Sequence, residues 1–252
     1  MTTWDTSHRN YDLPNAPWIL RQTWQNVLFL HFQADRAALS NVLPRALDLD
    51  TYNGTSWVSI LAFEVRNMHL RGLPPIPGLS AFAECNVRTY VVKDGIPGVY
   101  FFSLDAANSI AVLGARTVFH LPYYRASFRI DTDSNRRRYR LKRTHRHAPA
   151  ASLDCSYQLS SPSVEPSAES IPGSLASWLT DRYALFTTHK GKLYQGDIHH
   201  EPWPLQEVQV SISTQTMLKP FALDCGHEPD VAHYAKCVHA KLWMLHQVTS
   251  RD

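Results

Sequence analysis

The sequence predicts an α+β chain that is predominantly antiparallel β, with a few short helices. Three observations carry that prediction. Short runs rich in aromatic and β-branched residues recur along the chain, each bounded by polar turns. Two of them, "ECNVRTYVV" and "VYFFSLDA", flank the turn segment "KDGIPG" and read as a hairpin. Strands do not alternate regularly with helices, and no GxGxxG, P-loop or GxSxG stretch is present. The doubly wound nucleotide-binding and hydrolase classes therefore have no support.

The elements follow in order. Through Pro17 the chain is polar and proline-bearing and reads as an extended arm; residues 18–252 read as one domain. "WILRQTWQNVLFLHFQA" (18–34) ends in a β-like apolar stretch. "DRAALSNVLPRALDLD" (35–50) predicts a short helix that Asp35 caps and Pro44 stops, with Ala38, Leu39, Val42 and Leu43 on its apolar face. An Asn-Gly turn opens the strand "YNGTSWVSILAFEVRNMHL" (52–70), and the proline- and glycine-rich "RGLPPIPGLSAF" (71–82) must be a loop. After the hairpin, "ANSIAVLGARTVF" (107–119) reads as a helix ended near Pro122. "YYRASFRID", "RRRYRLKRTH" and "SLDCSYQLS" are successive strands. Residues 161–174 read as a mobile loop and 174–188 as a helix. A hairpin within "HKGKLYQGDIHHEPWPLQEVQVSIST" and a final strand around "AKLWMLHQV" complete the chain.

Composition excludes several function classes. With 44% hydrophobic and 19% charged residues in 252, the chain supports a sizeable core. Its formal charge of +3 is uneven: the strip 136–147 carries seven Arg/Lys and no acid, and the remainder 18 basic against 22 acidic residues. One basic strip on a mildly acidic body does not predict a nucleic-acid partner, and its alternation predicts a half-exposed strand. No apolar run approaches the ~20 residues of a membrane helix, and the N-terminus has no apolar signal region. Four cysteines far apart, without a CxxC pair, predict neither metal nor disulfides. A cytoplasmic protein without cofactor, nucleic-acid partner or membrane contact is expected, and nothing specifies its oligomeric state.

"LSAFAECNVRTYVV", "GVYFFSLDAANSIAVLGAR", "LPYYRA" and "HHEPWPLQ" together resemble the YqjF-like family of uncharacterised conserved proteins, across nearly the whole chain. That family name conveys no activity. Over roughly residues 25–130 a second resemblance is more informative. "FQADRAALSNVLPRALDLD" is similar to the opening helix-and-proline segment of acetoacetate decarboxylases. "SLDAANSIAVLGARTVFHLPYYRA" is similar to their stretch of strand, helix, Gly-Arg and Pro-Lys-Lys. This implies the acetoacetate decarboxylase-like fold, a cone-like antiparallel β structure around a small central cavity. In those enzymes the first lysine after the proline forms a Schiff base with the substrate ketone. Here the matching positions are Tyr123 and Tyr124, and a phenol cannot form an imine.

The resemblance places Glu84 at a carboxylate of the decarboxylase site, where apolar neighbours would raise its pKa for acid–base work; alternatively Glu84 pairs with Arg88, four residues on. Arg116, one residue further from glycine than in the family's Gly-Arg because Ala115 intervenes, either holds a substrate carboxylate or binds helix-end carbonyl groups. Alternation sends one of Tyr123 and Tyr124 inward, where it either donates to a developing oxyanion or simply packs. Within "DIHHEPWPLQ", His200 and Trp203 either line the cavity mouth, with His200 as a proton carrier, or stand in a proline-fixed turn. His199 and His200 point to opposite faces, which argues against one metal between them.

The expected function is therefore binding or lyase-like conversion of a small organic acid or ketone without a Schiff-base lysine. Glu84, Tyr123 and Arg116 are the catalytic candidates, and Arg88, Tyr124, His200 and Trp203 the ligand-binding ones. A non-catalytic binding protein that lost the lysine is the alternative, and an interaction protein using the basic strand a weaker one.

Overall fold

The computed structural model describes residues 4–159 and 171–248. In chain order its strands are β1 (Leu20–Ala34), β2 (Asp48–Leu49), β3 (Ser56–Leu70), β4 (Phe82–Lys93), β5 (Ile96–Ala106), β6 (Tyr123–Asp133), β7 (Arg136–Arg143), β8 (Ser152–Gln158), β9 (Ala184–His189), β10 (Lys192–His199), β11 (Leu205–Glu207), β12 (Val210–Gln215), β13 (Val231–Leu242) and β14 (His246–Val248). The helices are α1 (Arg36–Val42), α2 (Ser109–Val118) and α3 (Leu175–Thr180).

The β4–β5 hairpin turns on Asp94 and Gly95 alone, with φ of 50° and 80°. Positive φ at both turn residues matches the right-handed twist of the strands it joins. The hairpin closes the sheet. Strands β5, β9, β10, β13, β1, β3 and β4 pair in that sequence, and β4 returns to β5, forming a ring without free edges. From β5 a second sheet, β6–β7–β8–β12, departs and folds over the outer face of the ring.

Alternation along β1 and β3 separates the two larger cores, and a smaller third one gathers Leu47, Val91, Ala184, Phe186 and Leu193. Val27 and Phe29 of β1, and Leu61 and Phe63 of β3, face the interior of the ring. Leu28, Leu30, Val58 and Ile60 face the departing sheet, against Tyr139, Leu141, Leu153 and Cys155. Strand β4 is buried on both sides although its sequence alternates polar and apolar residues, so Glu84, Asn86 and Arg88 are buried polar groups.

The expected antiparallel character holds except at β5. Val99 and Tyr100 pair in parallel with Leu185 and Phe186 of β9, and Leu104–Ala106 pair in parallel with Tyr123–Arg125 of β6. Helix α2 is the crossover between β5 and β6, capped by the Asn108 side chain, which accepts from Ile110 N and Ala111 N. Where β9 approaches β5, Gly98 leaves no room: a Cβ there would lie 2.6 Å from Ala184 O and 2.7 Å from Phe186 Cε2. Gly98→Ala should therefore cost about 1–3 kcal/mol by overpacking, read as a lower urea midpoint; an unchanged midpoint would contradict this packing.

Other expectations need correction. Residues 174–188 are not one helix: α3 stops at Thr180, and Ala184–His189 form β9. Asp181 breaks the helical path at ψ 69°, and the buried run "ALF" finds strand partners on β5 and β10. The hairpin after it is β9–β10, turning at Lys190 and Gly191, whereas β11 and β12 pair with β13 and β8. The last long strand begins at Val231, earlier than "AKLWMLHQV" suggests. Of the expected loop at 161–174, residues 161–170 lie outside the described residues.

The arm is docked rather than free. Arg9 Nη1 donates to Ile198 O at 2.7 Å, His8 Nε2 contacts His200 O at 3.0 Å, and Trp4 stacks on His199. The basic strip is largely paired within the fold. Arg137 bonds Glu64, Arg138 is bidentate to Asp154, Arg140 reaches Asp131, and Arg143 is buried against Asp105. No helix among the described residues is long and apolar enough to cross a membrane.

Candidate active site in the closed β ring

The ring encloses a cavity of about 330 Å³ with mostly apolar walls, including Trp24, Phe63, Phe101 and Trp203. Strand β4 supplies a row of its polar groups, and Gln22, Ser80, Tyr123, Arg182, Asp197 and His200 add others. Because side chains alternate, Phe82, Glu84, Asn86 and Arg88 all face inward, one beyond the next from the mouth to the far end. At the mouth stand residues of the 71–79 loop and helix α2.

Tyr123 reaches Glu84 because β6 starts in parallel register with Leu104. Its hydroxyl donates to Glu84 Oε2 at 3.0 Å, with both side chains buried. Burial pushes the Glu84 carboxyl up to about 8; the Tyr123 hydrogen bond pulls against that, and Asp105 adds to it. Glu84 is thus a protonated acid at neutral pH, able to give a proton to a reacting atom. Burial, then the Glu84 charge, holds the Tyr123 phenol well above its usual range.

The alternative Glu84–Arg88 ion pair is not formed. Arg88 has no carboxylate within ion-pair distance among the described residues. Its Nη2 donates to Leu179 O at 3.0 Å, and its buried Nε has no partner. Asn86 Oδ1 beside it is likewise buried and unpartnered. A desolvated guanidinium without a counter-charge is costly, and burial lowers the Arg88 pKa. Neighbouring Arg182 is neutralised by Asp50 at 2.7 Å.

His200 and Trp203 also line the cavity. Trp203 Nε1 donates to Thr180 O, and its ring stacks on Trp24 at 5.9 Å. His200 directs Nδ1 to Glu201 O at 2.7 Å, which leaves Nε2 as the acceptor nitrogen. Burial drops its pKa to about 3, so it stays neutral and is unsuited to carrying protons near neutral pH. His199 points elsewhere, against Trp4 and His8.

Two candidates lie outside this wall. Arg116 donates to Tyr123 O at 2.7 Å, so this helix-end arginine binds a backbone carbonyl at the start of β6 rather than facing the cavity. It holds the start of β6 to the end of α2 and acts at most by positioning Tyr123. Tyr124 points away from the cavity, with Arg143 over its ring at 4.1 Å. None of the chain's lysines lines the cavity. The residues that sequence reasoning missed are Asn86, Arg182 and Trp24. A period of two between Glu84 and Arg88 already marks Asn86, whereas Arg182 and Trp24 arrive by long-range pairing.

Comparison with known proteins agrees with this architecture. Residues 21–239 match the family model described as "Uncharacterized conserved protein" (DUF2071). The uncharacterized protein YqjF of Bacillus subtilis (strain 168) is 43% identical over 238 residues, 94% of this chain and 96% of that protein. The structure is similar to the acetoacetate decarboxylase of Legionella pneumophila, with TM-score 0.60 and 11% identity over 97% of this chain and 95% of that one. It is also similar to the enduracididine biosynthesis enzyme MppR, with TM-score 0.62 and 12% identity over 94% of this chain and 90% of that one. At such identities the likeness is one of fold.

Proposed function

Given that this chain belongs to the DUF2071 family of uncharacterized conserved proteins, we propose that its cavity binds a keto or carboxylate compound and converts it by lyase-like acid–base chemistry without an imine. The observation that carries this reading is the buried Glu84–Tyr123 pair facing the same cavity as the unpaired Arg88 cation. Arg88 and Asn86 hold the substrate carboxylate. In a β-keto acid the bond from the carboxylate carbon to the α-carbon breaks and CO₂ leaves; that electron pair becomes the C=C bond of an enolate as the carbonyl π pair moves to oxygen. Glu84 then gives its proton to carbon and is reprotonated from solvent. Tyr123, already donating to Glu84, stabilises the carboxylate that remains. The sequence resemblance matches Tyr123 to the lysine position of the acetoacetate decarboxylases, which supports a second reading: a binding protein that takes the same ligands without turning them over.

Thermal-shift screening of keto and carboxylic acids, followed by mass spectrometry of products, separates the two. Turnover is expected, and borohydride added with a ketone hit should leave the protein mass unchanged. A reduced covalent adduct would refute the imine-free mechanism, and binding without product would leave only the second reading. Tyr123→Phe removes a hydrogen bond that lowers the Glu84 pKa, so the high-pH limb of the rate profile should move to higher pH. A profile that stays in place would remove Tyr123 from the proton-transfer step.

A further inference from the structure

We propose that the occupant of this cavity is a linear aliphatic carboxylic acid or keto acid, its carboxylate at Arg88 and Asn86 and its alkyl chain running past Glu84 to the mouth. The proposal rests on the reading above and adds the size and shape of the substrate.

Three observations carry it. The polar groups that β4 contributes form a line along one strand face. From Phe82 to Arg88 the cavity follows six residue steps, about 20 Å at ~3.3 Å per residue, with both residues lining it. A two- or three-carbon acid held at Arg88 would leave the Trp24, Phe63 and Phe101 walls without a partner. Secondly, Arg88 Nε is a buried, inward-facing donor without a partner, and Asn86 beside it on that strand can turn its amide NH₂ to the same point. These donors set the carboxylate end of the ligand at depth and leave the remaining length to apolar contact. Thirdly, the mouth is framed by Leu73, Ile76 and Ile110, each more than half exposed yet lining the cavity. Large apolar side chains gathered around an opening mark a surface that a ligand covers, and a protruding alkyl chain is such a ligand.

Titration calorimetry at sub-micellar concentration with the straight-chain acids from butyric to dodecanoic, and with the matching primary alcohols, tests this. Affinity should rise about fourfold for each added methylene until the mouth is passed. The acids should bind about tenfold or more tightly than the alcohols, and Arg88→Met should bring the acids down to the alcohols. Ile76→Asp, at an exposed position that leaves the fold intact, should weaken decanoic acid more than butyric acid. A series independent of chain length, or alcohols that bind as well as acids to the wild type, would overturn the proposal. A flat series accompanied by turnover of a short keto acid would overturn it while leaving the acid–base mechanism standing. A steep series without turnover of any keto acid would uphold the chain-shaped ligand and remove the mechanism.

Discussion

Replacing Glu84 with glutamine is expected to stabilise the folded chain, relative to wild type, increasingly as the pH rises from about 4.5 to about 8. In the unfolded chain Glu84 titrates near 4.5, and in the folded chain burial lifts it to about 8. Below that window both states are protonated, and the group costs nothing. Within it the folded chain holds a proton that the unfolded chain has lost, so stability falls by about 1.4 kcal/mol per pH unit. Above the window both states are ionised, and the full penalty of a buried carboxylate remains. Glutamine has the shape of the protonated acid and no proton to lose. The buried histidines, whose pKa values are lowered, act in the opposite sense around the ordinary histidine range. They are common to both proteins and cancel in the difference. Urea unfolding of both proteins across the window measures that difference; parallel stability curves would show that Glu84 does not titrate as a buried acid. The same substitution should lower turnover by about 10²–10⁴-fold, since glutamine cannot transfer a proton.

The second large effect concerns the joint between the ring and the departing sheet. Arg143 at the end of β7 meets Asp105 of β5 with two parallel hydrogen bonds of 2.7 Å, and both side chains are essentially inaccessible. Removing either partner alone leaves a buried charge, so Asp105→Asn and Arg143→Met should each cost about 3–5 kcal/mol. The double variant should be less destabilised than the two single losses added together, because neither charge is then stranded. Additive losses in a double-mutant cycle would mean that the pair is not coupled. Arg143 also covers the Tyr124 ring. Its loss should therefore loosen the residue next to Tyr123 and lower turnover beyond what the remaining folded fraction explains.

Features dictated within a few residues were legible in the sequence. Asp35 caps α1 by accepting from Ala38 N, the expected loop is irregular over 71–81 with Phe82 already in β4, and Asp94-Gly95 forces a tight hairpin. The strip expected as a half-exposed strand is β7, with Tyr139 and Leu141 buried between exposed or half-exposed basic residues. What was not legible depends on distant partners. "SLASWLTDRYALFTT" carries helix-compatible residues throughout, and the antiparallel pairing with β10 together with the parallel neighbours on β5 draws its second half into a strand. Asp105 and Arg143 are 38 residues apart and nothing local couples them. For the site, Glu84, Arg88, Tyr123, His200 and Trp203 converge on one cavity, whereas Arg116 and Tyr124 lie beside it. The difference comes from the parallel start of β6, which turns one tyrosine inward and leaves the helix-end arginine on a carbonyl.

Strand β4 divides labour by parity. Positions 84, 86 and 88 look into the cavity, while 85, 87 and 89 are committed to packing behind it. A combinatorial library restricted to the three even positions can thus re-code which ligand is accepted while the second core keeps its side chains. Evolution within this fold has the same freedom: selectivity can drift along one edge of a ribbon whose reverse stays fixed.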